Sequence, residues 1–490
     1  MSSYKDISIS ELGITITGKT PSSEFPNDFG DKYLFITPSD NFDSKYISQT
    51  ERCLSEEGLI KLQSKVLPPH SILVSCIGSA MGKISMNKGI AITNQQINAI
   101  IPNLENFDND YIYYLLKNNY KSLRNAATGS TALPLLNKTD FDTLRFKVHS
   151  QKYHQEKIAA VLSALDDKIE LNNRINTELE QMAKTLYDYW FVQFDFPDAN
   201  GMPYKSSGGK MVYNEVLKRE VPEGWRVNAL SEINSELARG ISPKYSEQEG
   251  IPVVNQRCIK NNTVDFSFCR LHDGEAKPVK RLIQIGDILV NSTGVGTLGR
   301  TAIVKWLSHP KITTDSHVTI VRPDSELVNP HFLGFSLLNK QVEIEGLGEG
   351  STGQTELSRE NLGKLNILLP KRKIQNKYSS VIRPIFEKMA INEQQNIRLS
   401  ALRDWLLPML MNGQAKVGDV CKTYNTAQVA AMAAEAKSGY KKMGNTQLKQ
   451  VGEQDQKFNL WLSNQGLAAR GEIDATTLRA MFDAMDDEDK

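Results

Sequence analysis

The sequence predicts an α+β chain built twice: two repeated globular domains, each followed by a long coiled-coil helix, and a small helical extension at the C-terminus. Three observations carry that expectation. An ordered set of segments occurs in two copies, and each copy ends in an extended apolar heptad seam. The glycine-rich runs inside the copies are flanked by strand-like rather than helical sequence.

The repeat comes first in the argument. ILVSCIGSAMGKI (Ile72 to Ile84) matches ILVNSTGVGTLGRTAI (Ile288 to Ile303), with one extra residue in the second copy. ITNQQINAIIP (Ile92 to Pro102) matches TTDSHVTIVRP (Thr313 to Pro323), and GSTALPLLNKTDFDTLRF (Gly129 to Phe146) matches GSTGQTELSRENLGKLNI (Gly350 to Ile367). The two GST tripeptides, Leu136 and Leu357, and Leu144 and Leu365 all share one spacing.

Within the second copy, GVGTLGRT (Gly294 to Thr301) reads as a GxGxxG and lies one Arg-for-Lys change from a phosphate loop. Its partner, GSAMGKIS (Gly78 to Ser85), fits neither pattern. Both runs have strand-like sequence on each side (SILVS and KISM, DILVN and RTAIV), whereas a phosphate cradle needs a helix N-terminus. The expectation is a β-hairpin whose glycines supply positive φ.

Each copy then enters a long helical stretch. In the first, Ile158, Leu165, Asn172, Leu179 and Leu186 fall at heptad position a, and Val161, Lys168, Ile175, Met182 and Tyr189 at d. In the second, Tyr378, Ile385, Asn392, Leu399 and Leu406 fall at a, and Val381, Lys388, Gln395, Leu402 and Met409 at d. Such a seam indicates coiled coils about 50 Å long at ~1.5 Å per residue. Asn172 and Asn392 occupy the same central a position, where a polar side chain fixes register, and they are expected to lie close together and align the helices. Arg383-Pro384 in the second stretch predicts a kink or a late helix start. Between the copies, VQFDFPDANGMPYKSSGGKMVYNEVLKREVPEGW (Val192 to Trp225) has the Pro, Gly and Ser content of a connector with turns.

The chain has 490 residues, 40% hydrophobic and 23% charged, enough for several cores. Its apolar runs fall short of a membrane span, and MSSYKDISIS lacks the apolar core of a signal peptide. Five scattered cysteines form no CxxC, so neither a disulfide framework nor a zinc site is expected, and a reducing cytoplasm is the simplest compartment. A net charge of +1 gives no general signal for nucleic acid, which must come from architecture and from clusters such as KPVKR (Lys277 to Arg281).

The order of elements, GKTP and GISP (Gly18 to Pro21, Gly240 to Pro243), the hairpin glycines, the GST loops and the FDFP…NG.PYKSSGGKMVYNE…PEGW connector resemble the specificity subunit of type I restriction–modification systems over about residues 1–412. The resemblance implies two target-recognition domains, each reading one half of a split site in double-stranded DNA. It implies long helices packed antiparallel, pseudo-twofold symmetry and a separation set by the helices. It also implies two modification subunits that methylate adenine at N6, and restriction subunits that translocate and cut DNA. S-adenosylmethionine, ATP and Mg then belong to those partners, and this chain holds no cofactor or metal of its own. On this reading residues 1–150 form the first target-recognition domain, 151–192 the first spacer helix and 193–224 the connector. Residues 225–370 form the second domain, 371–412 the second helix and 413–490 a helical extension of unknown role.

Polar residues beside turns and strand ends are the candidate DNA contacts, because loops carry binding. In the first domain these are Lys19, Ser39, Asp40, Lys83, Gln95, Gln96, Ser130 and Thr131. In the second they are Lys244, Gln256, Arg257, Arg300, Ser316, His317, Ser351, Thr352 and Gln354. The domains should read different sequences, since Gln95 and Gln96 are replaced by Ser316 and His317. Glutamine can bond bidentately to adenine and arginine to guanine. Lys83 and Arg300, at equivalent hairpin positions, are expected on phosphates.

The chain is expected to be catalytically silent. NPHF (Asn329 to Phe332) lacks the second proline of an adenine-methyltransferase [DNS]PP[YFW], and no Walker A with motor motifs, nuclease constellation or HExxH is present. Asp166-Asp167 reads as a solvated helix face. The alternatives are a fragment of a single-chain restriction–methylation enzyme, which requires a fused catalytic region, and a repeat scaffold that binds protein.

Overall fold

The computed structural model describes residues 4–78, 81–126, 135–350 and 355–415. Residues 416–490, and with them most of the expected C-terminal extension, lie outside the described residues. The chain divides into two compact units, and the division runs through both long helices, between Asn172 and Asn173 and between Gln394 and Gln395.

In the first unit, Tyr4–Ser8 pairs antiparallel with Arg145–His149, joining the two ends of the globular part. A five-stranded sheet has the order Gly13–Thr17, Ile97–Pro102, Ile72–Ser75, Ile84–Asn87, Tyr46–Ile47. A four-stranded sheet has the order Phe29–Gly30, Arg52–Leu54, Tyr33–Ile36, Ala91–Thr93. Ile72–Ser75 and Ile84–Asn87 are wholly buried and pair antiparallel, so the glycine run between them is a hairpin turn. The helix Asn109–Asn118 starts where the Asp108 carboxylate accepts the Tyr111 N–H at 2.8 Å. Its Tyr111, Tyr113 and Tyr114 enter one core with Ile158 and Leu162 from one long helix and Leu406, Leu407 and Leu410 from the other.

The second unit repeats the plan. Arg226–Ala229 pairs with Asn366–Leu369. One four-stranded sheet has the order Asn234–Arg239, Val318–Pro323, Ile288–Asn291, Thr301–Ile303. The other has the order Tyr245–Ser246, Arg270–His272, Ile251–Val254, Thr313–Thr314. GVGTLGRT links antiparallel strands, and the helix Pro330–Asn339 is capped by Asn329 with proline at its first position. The connector contributes the hairpin Met211–Asn214 with Arg219–Pro222. It packs beside an aromatic cluster in which Phe191 meets Phe332 at 4.8 Å and Tyr378 at 4.9 Å, and Trp225 stacks on Phe196 at 5.2 Å.

The duplication extends to single hydrogen bonds. The Ser75 N–H donates to the Lys83 carbonyl and the Asn291 N–H to the Arg300 carbonyl; the Gly82 N–H donates to Ser75 and the Gly299 N–H to Asn291. Gly82 and Gly299 hold φ near +78° and +80°, as the hairpin reading requires.

The long helices run Lys152–Tyr187 and Arg372–Met411. The second starts before Pro384 and continues through it, so the expected late start does not occur. Within each unit their segments are antiparallel. In the first, Asn172 donates to Gln395 Oε1 (2.9 Å) and Asn396 Oδ1 (2.8 Å), while Asp166 meets Arg403. In the second, Asn392 donates to Asn176 Oδ1 (2.8 Å), and Tyr378 reaches the Ala183 carbonyl. Asn172 and Asn392 are both buried, and these bonds run from each of them to another amide on the facing helix segment. Lys168 at a d position is exposed, and Leu162, Asp166, Ala183 and Tyr187 form the buried face beside Asn172 and Leu179. That spacing follows the 3.6-residue turn more closely than a strict heptad, because the helix packs against a globular domain as well as a helix.

Asp166 corrects the expectation of a solvated acid. It is 7% exposed, accepts the Tyr114 hydroxyl at 2.6 Å and pairs with Arg403. Asp166→Ala leaves the guanidinium with only the exposed Asp404 as ionic partner and the Tyr114 hydroxyl without its acceptor, and should lower the unfolding free energy by about 3 kcal/mol, whereas Asp166→Leu with Arg403→Met should recover most of it. Urea titration measures both.

His331 accepts or donates at Nδ1 with Ser379 Oγ at 2.7 Å and lies edge-on to Phe386. Burial, with Arg383 nearby, pushes its pKa down to about 4. The unfolded chain therefore takes up a proton between about pH 6.5 and 4 that the folded chain refuses, so this contribution to stability is lost as pH falls through that window. The urea midpoint should drop between pH 7 and pH 5, and drop less in His331→Gln.

Candidate nucleic-acid interface

A three-residue turn in each domain joins the two sheets. In the first it is Asn94-Gln95-Gln96, between Ala91–Thr93 and Ile97–Pro102. The Asn94 N–H donates to the Ile36 carbonyl (3.0 Å), its Oδ1 accepts the Gln96 N–H (3.1 Å), and the Gln96 carbonyl accepts the Cys76 N–H (2.9 Å). In the second domain Asp315 donates its N–H to the Val254 carbonyl (2.9 Å), accepts the His317 N–H (2.9 Å), and the His317 carbonyl accepts the Ser292 N–H (2.8 Å). Both are turns in which a side-chain oxygen bonds the backbone two residues on. The scaffold is the same, and the tips differ in chemistry. Burial raises the Asp315 carboxyl above the ordinary range, opposed by its bond from His317.

The GKTP and GISP segments lie against these turns. The Lys19 N–H donates to the Thr93 carbonyl (2.8 Å) and the Ile241 N–H to the Thr314 carbonyl (2.9 Å). A Cβ on Gly18 would lie 2.1 Å from the Thr93 carbonyl oxygen, and one on Gly240 1.9 Å from that of Thr314. Glycine is needed for close approach of backbone to backbone.

The structure brings several candidates together. Gln95 Oε1 accepts the Thr20 hydroxyl at 2.7 Å, which places Gln95, Gln96 and the exposed Lys19 on one edge. In the second domain the Thr293 hydroxyl bonds His317 Nδ1 (2.9 Å) and faces Gln256 Oε1 (3.5 Å), and the Asn291 amide donates to the Gln256 carbonyl. Gln256, Arg257, Ser316 and His317 thus share an edge. The Arg257 guanidinium lies 5.6 Å from the Phe268 ring centroid.

Other candidates have local partners. Asp40 accepts the Thr37 N–H (2.7 Å), the Thr37 hydroxyl (3.0 Å) and the Glu51 N–H (3.1 Å); Ser39 bonds Thr37. Asp40 holds its own loop. Lys83 is paired with Asp43 at 2.9 Å, both partly exposed, and Arg300 donates to the Gly296 carbonyl within its hairpin. Lys244 sits beside His272 and Asp273. Lys277 donates to the Ser242 carbonyl and Arg281 to Glu236, so two of the KPVKR cations shape the domain. Ser130, Thr131, Ser351, Thr352 and Gln354 lie outside the described residues.

Sequence reasoning missed Thr20, Thr293 and the turn residues Asn94 and Asp315. The last two were legible as an Asn and an Asp at equivalent places in the repeat. Among the described residues no cluster of His, Cys, Asp or Glu could hold a metal ion, and no helix is long and apolar enough to cross a membrane.

Two copies of one edge, each presenting different polar tips from the same backbone, define a protein with paired reading domains. The sequence matches the type I restriction modification DNA specificity domain at residues 1–181 and again at 222–401, and the chain belongs to that family. It is similar to the MjaIX specificity subunit of Methanocaldococcus jannaschii, with 28% identity over 422 residues, covering 84% of this chain and 93% of the relative. It is also similar to the HindI specificity subunit of Haemophilus influenzae, with 25% identity over 481 residues, covering 84% and 100%. A solved S subunit from M. genitalium covers 83% of this chain and 96% of its own at 18% identity and a TM-score of 0.49.

Lys83→Ala and Arg300→Ala should each weaken DNA binding uniformly across sequences and reduce the salt slope by about 1. Gln96→Ala and His317→Ala should instead relax preference at one base position, by about 1–3 kcal/mol each. Equilibrium binding to a panel of single-base variants at several salt concentrations separates the two outcomes.

Proposed function

We propose that this chain is the DNA-reading subunit of a type I restriction–modification complex, with the first domain reading one half of a bipartite asymmetric site and the second domain the other. The observation that carries this is the repeated turn edge, Asn94-Gln95-Gln96 in one domain and Asp315-Ser316-His317 in the other, on matching hydrogen bonds. A glutamine pair can read adenine through bidentate amide bonds, and replacement by Ser and His changes the pattern of donors and acceptors offered to the groove. Lys19, Gln95 and Gln96 serve the first half-site; Gln256, Arg257, Ser316 and His317 serve the second. Lys83 and Arg300 bind phosphates after giving up their local partners.

The chain itself catalyses no reaction. It recruits two modification subunits, which bind S-adenosylmethionine and methylate adenine, and restriction subunits, which use ATP and Mg, and it works in the cytoplasm. The long helices set the unread gap between half-sites, because a helical duplex turns the separation of two reading heads into a geometric constraint.

Mapping N6-methylated adenines genome-wide in a host carrying this chain with its modification subunits tests the proposal. The expected result is one split motif, two short specified halves around a gap of fixed length, and exchange of Asn94-Gln96 for the Asp315-His317 tripeptide should change one half alone. A continuous motif, or methylation that does not depend on this chain, would overturn it.

A further inference from the structure

Cys258 and Cys269 face each other with their sulfurs 4.0 Å apart. Each belongs to a short turn beside the reading edge of the second domain. Cys258 ends the turn Gln256–Cys258, which carries two of the proposed readers, and Cys269 follows the turn Phe266–Phe268. The turns are tied together: the Asp265 N–H donates to the Cys258 carbonyl (2.8 Å), and the Asn255 amide donates to the Phe268 carbonyl (3.0 Å). The Cys258 sulfur also accepts the Asn255 N–H at 3.4 Å. Cys258 is buried and Cys269 is half-buried, so a small oxidant has access from one side.

We propose that Cys258 and Cys269 form a thiol–disulfide site, oxidised by a hydroperoxide, that governs DNA reading by the second domain. The second clause rests on the functional reading above; the first does not. The Cys258 thiolate attacks one oxygen of hydrogen peroxide, which reaches the pair from the Cys269 side; the O–O bond breaks, and the departing oxygen leaves as water after taking up a proton. The Cys269 sulfur then attacks the Cys258 sulfenic sulfur, the S–O bond breaks, and a second water leaves with the Cys269 thiol proton. Two thiols are oxidised and one peroxide is reduced. The Cys269 S–H, donating to Cys258, lowers the Cys258 pKa and raises its own, so Cys258 is the thiol that ionises and opens the sequence.

A disulfide needs its sulfurs about 2 Å apart, so each must move toward the other by about 1 Å. That movement withdraws Cys258 from the Asn255 N–H and draws the Gln256-Arg257 turn toward Phe268, over which Arg257 lies. Base-reading groups tolerate little displacement, since their bonds to base edges are directional.

The test uses the full chain assembled with its modification subunits, exposed to graded hydrogen peroxide, then alkylated and digested. Trypsin cuts after Arg257, Lys260 and Arg270, so the bond would join the peptide 258–260 to the peptide 261–270. Binding is measured on a duplex carrying the mapped site and on one altered in the second half alone. The expected result is the linked peptide, at least a tenfold loss of affinity for the mapped site, and reduced discrimination against the altered duplex, all reversed by dithiothreitol. Cys269→Ser should bind as the reduced chain does and should yield no linked peptide with peroxide. Absence of the linked peptide, or its formation with unchanged affinity, would overturn the proposal; the wild-type chain before and after reduction decides this even where the variant misfolds. A reduced chain that shows no sequence preference would count against the functional reading instead, and the peptide map would still decide whether the thiol site exists.

Discussion

At the start of each long helix, a buried glutamine amide bonds to two separate stretches of backbone at once. Gln155 Nε2 donates to the His149 carbonyl at 2.8 Å, and its Oε1 accepts the Asp108 N–H at 3.1 Å. Gln375 Nε2 donates to the Pro370 carbonyl at 2.9 Å, and its Oε1 accepts the Asn329 N–H at 2.8 Å. Asp108 and Asn329 are the caps of the core helices, and His149 and Pro370 mark where the chain leaves the globular part. One side chain therefore holds the exit strand, the core helix and the long helix in fixed relation. Both groups are almost completely buried, so loss of the amide would leave a donor and an acceptor unpaired, a larger penalty than the net gain from one bond. The Asn94–Gln96 and Asp315–His317 turns of the same units can carry different tips because the framework behind them is held this way.

Buried ions extend the same joint. In the first unit the Lys45 ammonium, 4% exposed, bonds Ser163 on the long helix and Asp110 on the core helix. In the second unit Lys305, equally buried, pairs with Glu393, whose other oxygen accepts the Trp306 indole N–H. Lys45 and Lys305 are not equivalent positions in the repeat, yet each brings a cation from a globular domain to a long helix. A buried lysine tolerates few alternative placements, because any other arrangement strands its charge. The hydrophobic contacts give these joints their energy, and the ions select among orientations that would bury similar area.

Much of this was legible in the sequence because it rests on local pattern. The duplicated order of segments, the strand–glycine turn–strand hairpins and the long apolar helices follow from spacing alone, and the structure matches each of them. What spacing did not show is the pairing of side chains distant in sequence. Asp166 read as a solvated acid because Arg403 and Tyr114 lie far along the chain from it. Asn172 and Asn392 were legible as register residues, but the amides they bond across the helices, Gln395, Asn396 and Asn176, were not. Polar loop residues were the least legible: Asp40 and Gln95 look alike in sequence, but the first spends its oxygens on its own loop and the second accepts the Thr20 hydroxyl from the neighbouring segment.

The chain is near neutral because 58 Lys and Arg face 57 Asp and Glu, and many of those cations are paired with local carboxylates. Lys83 is matched by Asp43, Arg281 by Glu236, and Arg322 by both Asp287 and Glu236. For Lys83 to reach a phosphate it must first leave a carboxylate, so the gain is an exchange of partners and not the full attraction of a free cation for DNA. Weak attachment to arbitrary DNA is the physical consequence, since non-specific binding is dominated by the electrostatic term. On the proposed reading, discrimination then falls to uncharged groups such as Gln95, Gln96 and Ser316, whose hydrogen bonds would depend on the base they meet. If partner subunits supply affinity of their own, as the proposed assembly implies, this division keeps the contrast between right and wrong sequences undiluted.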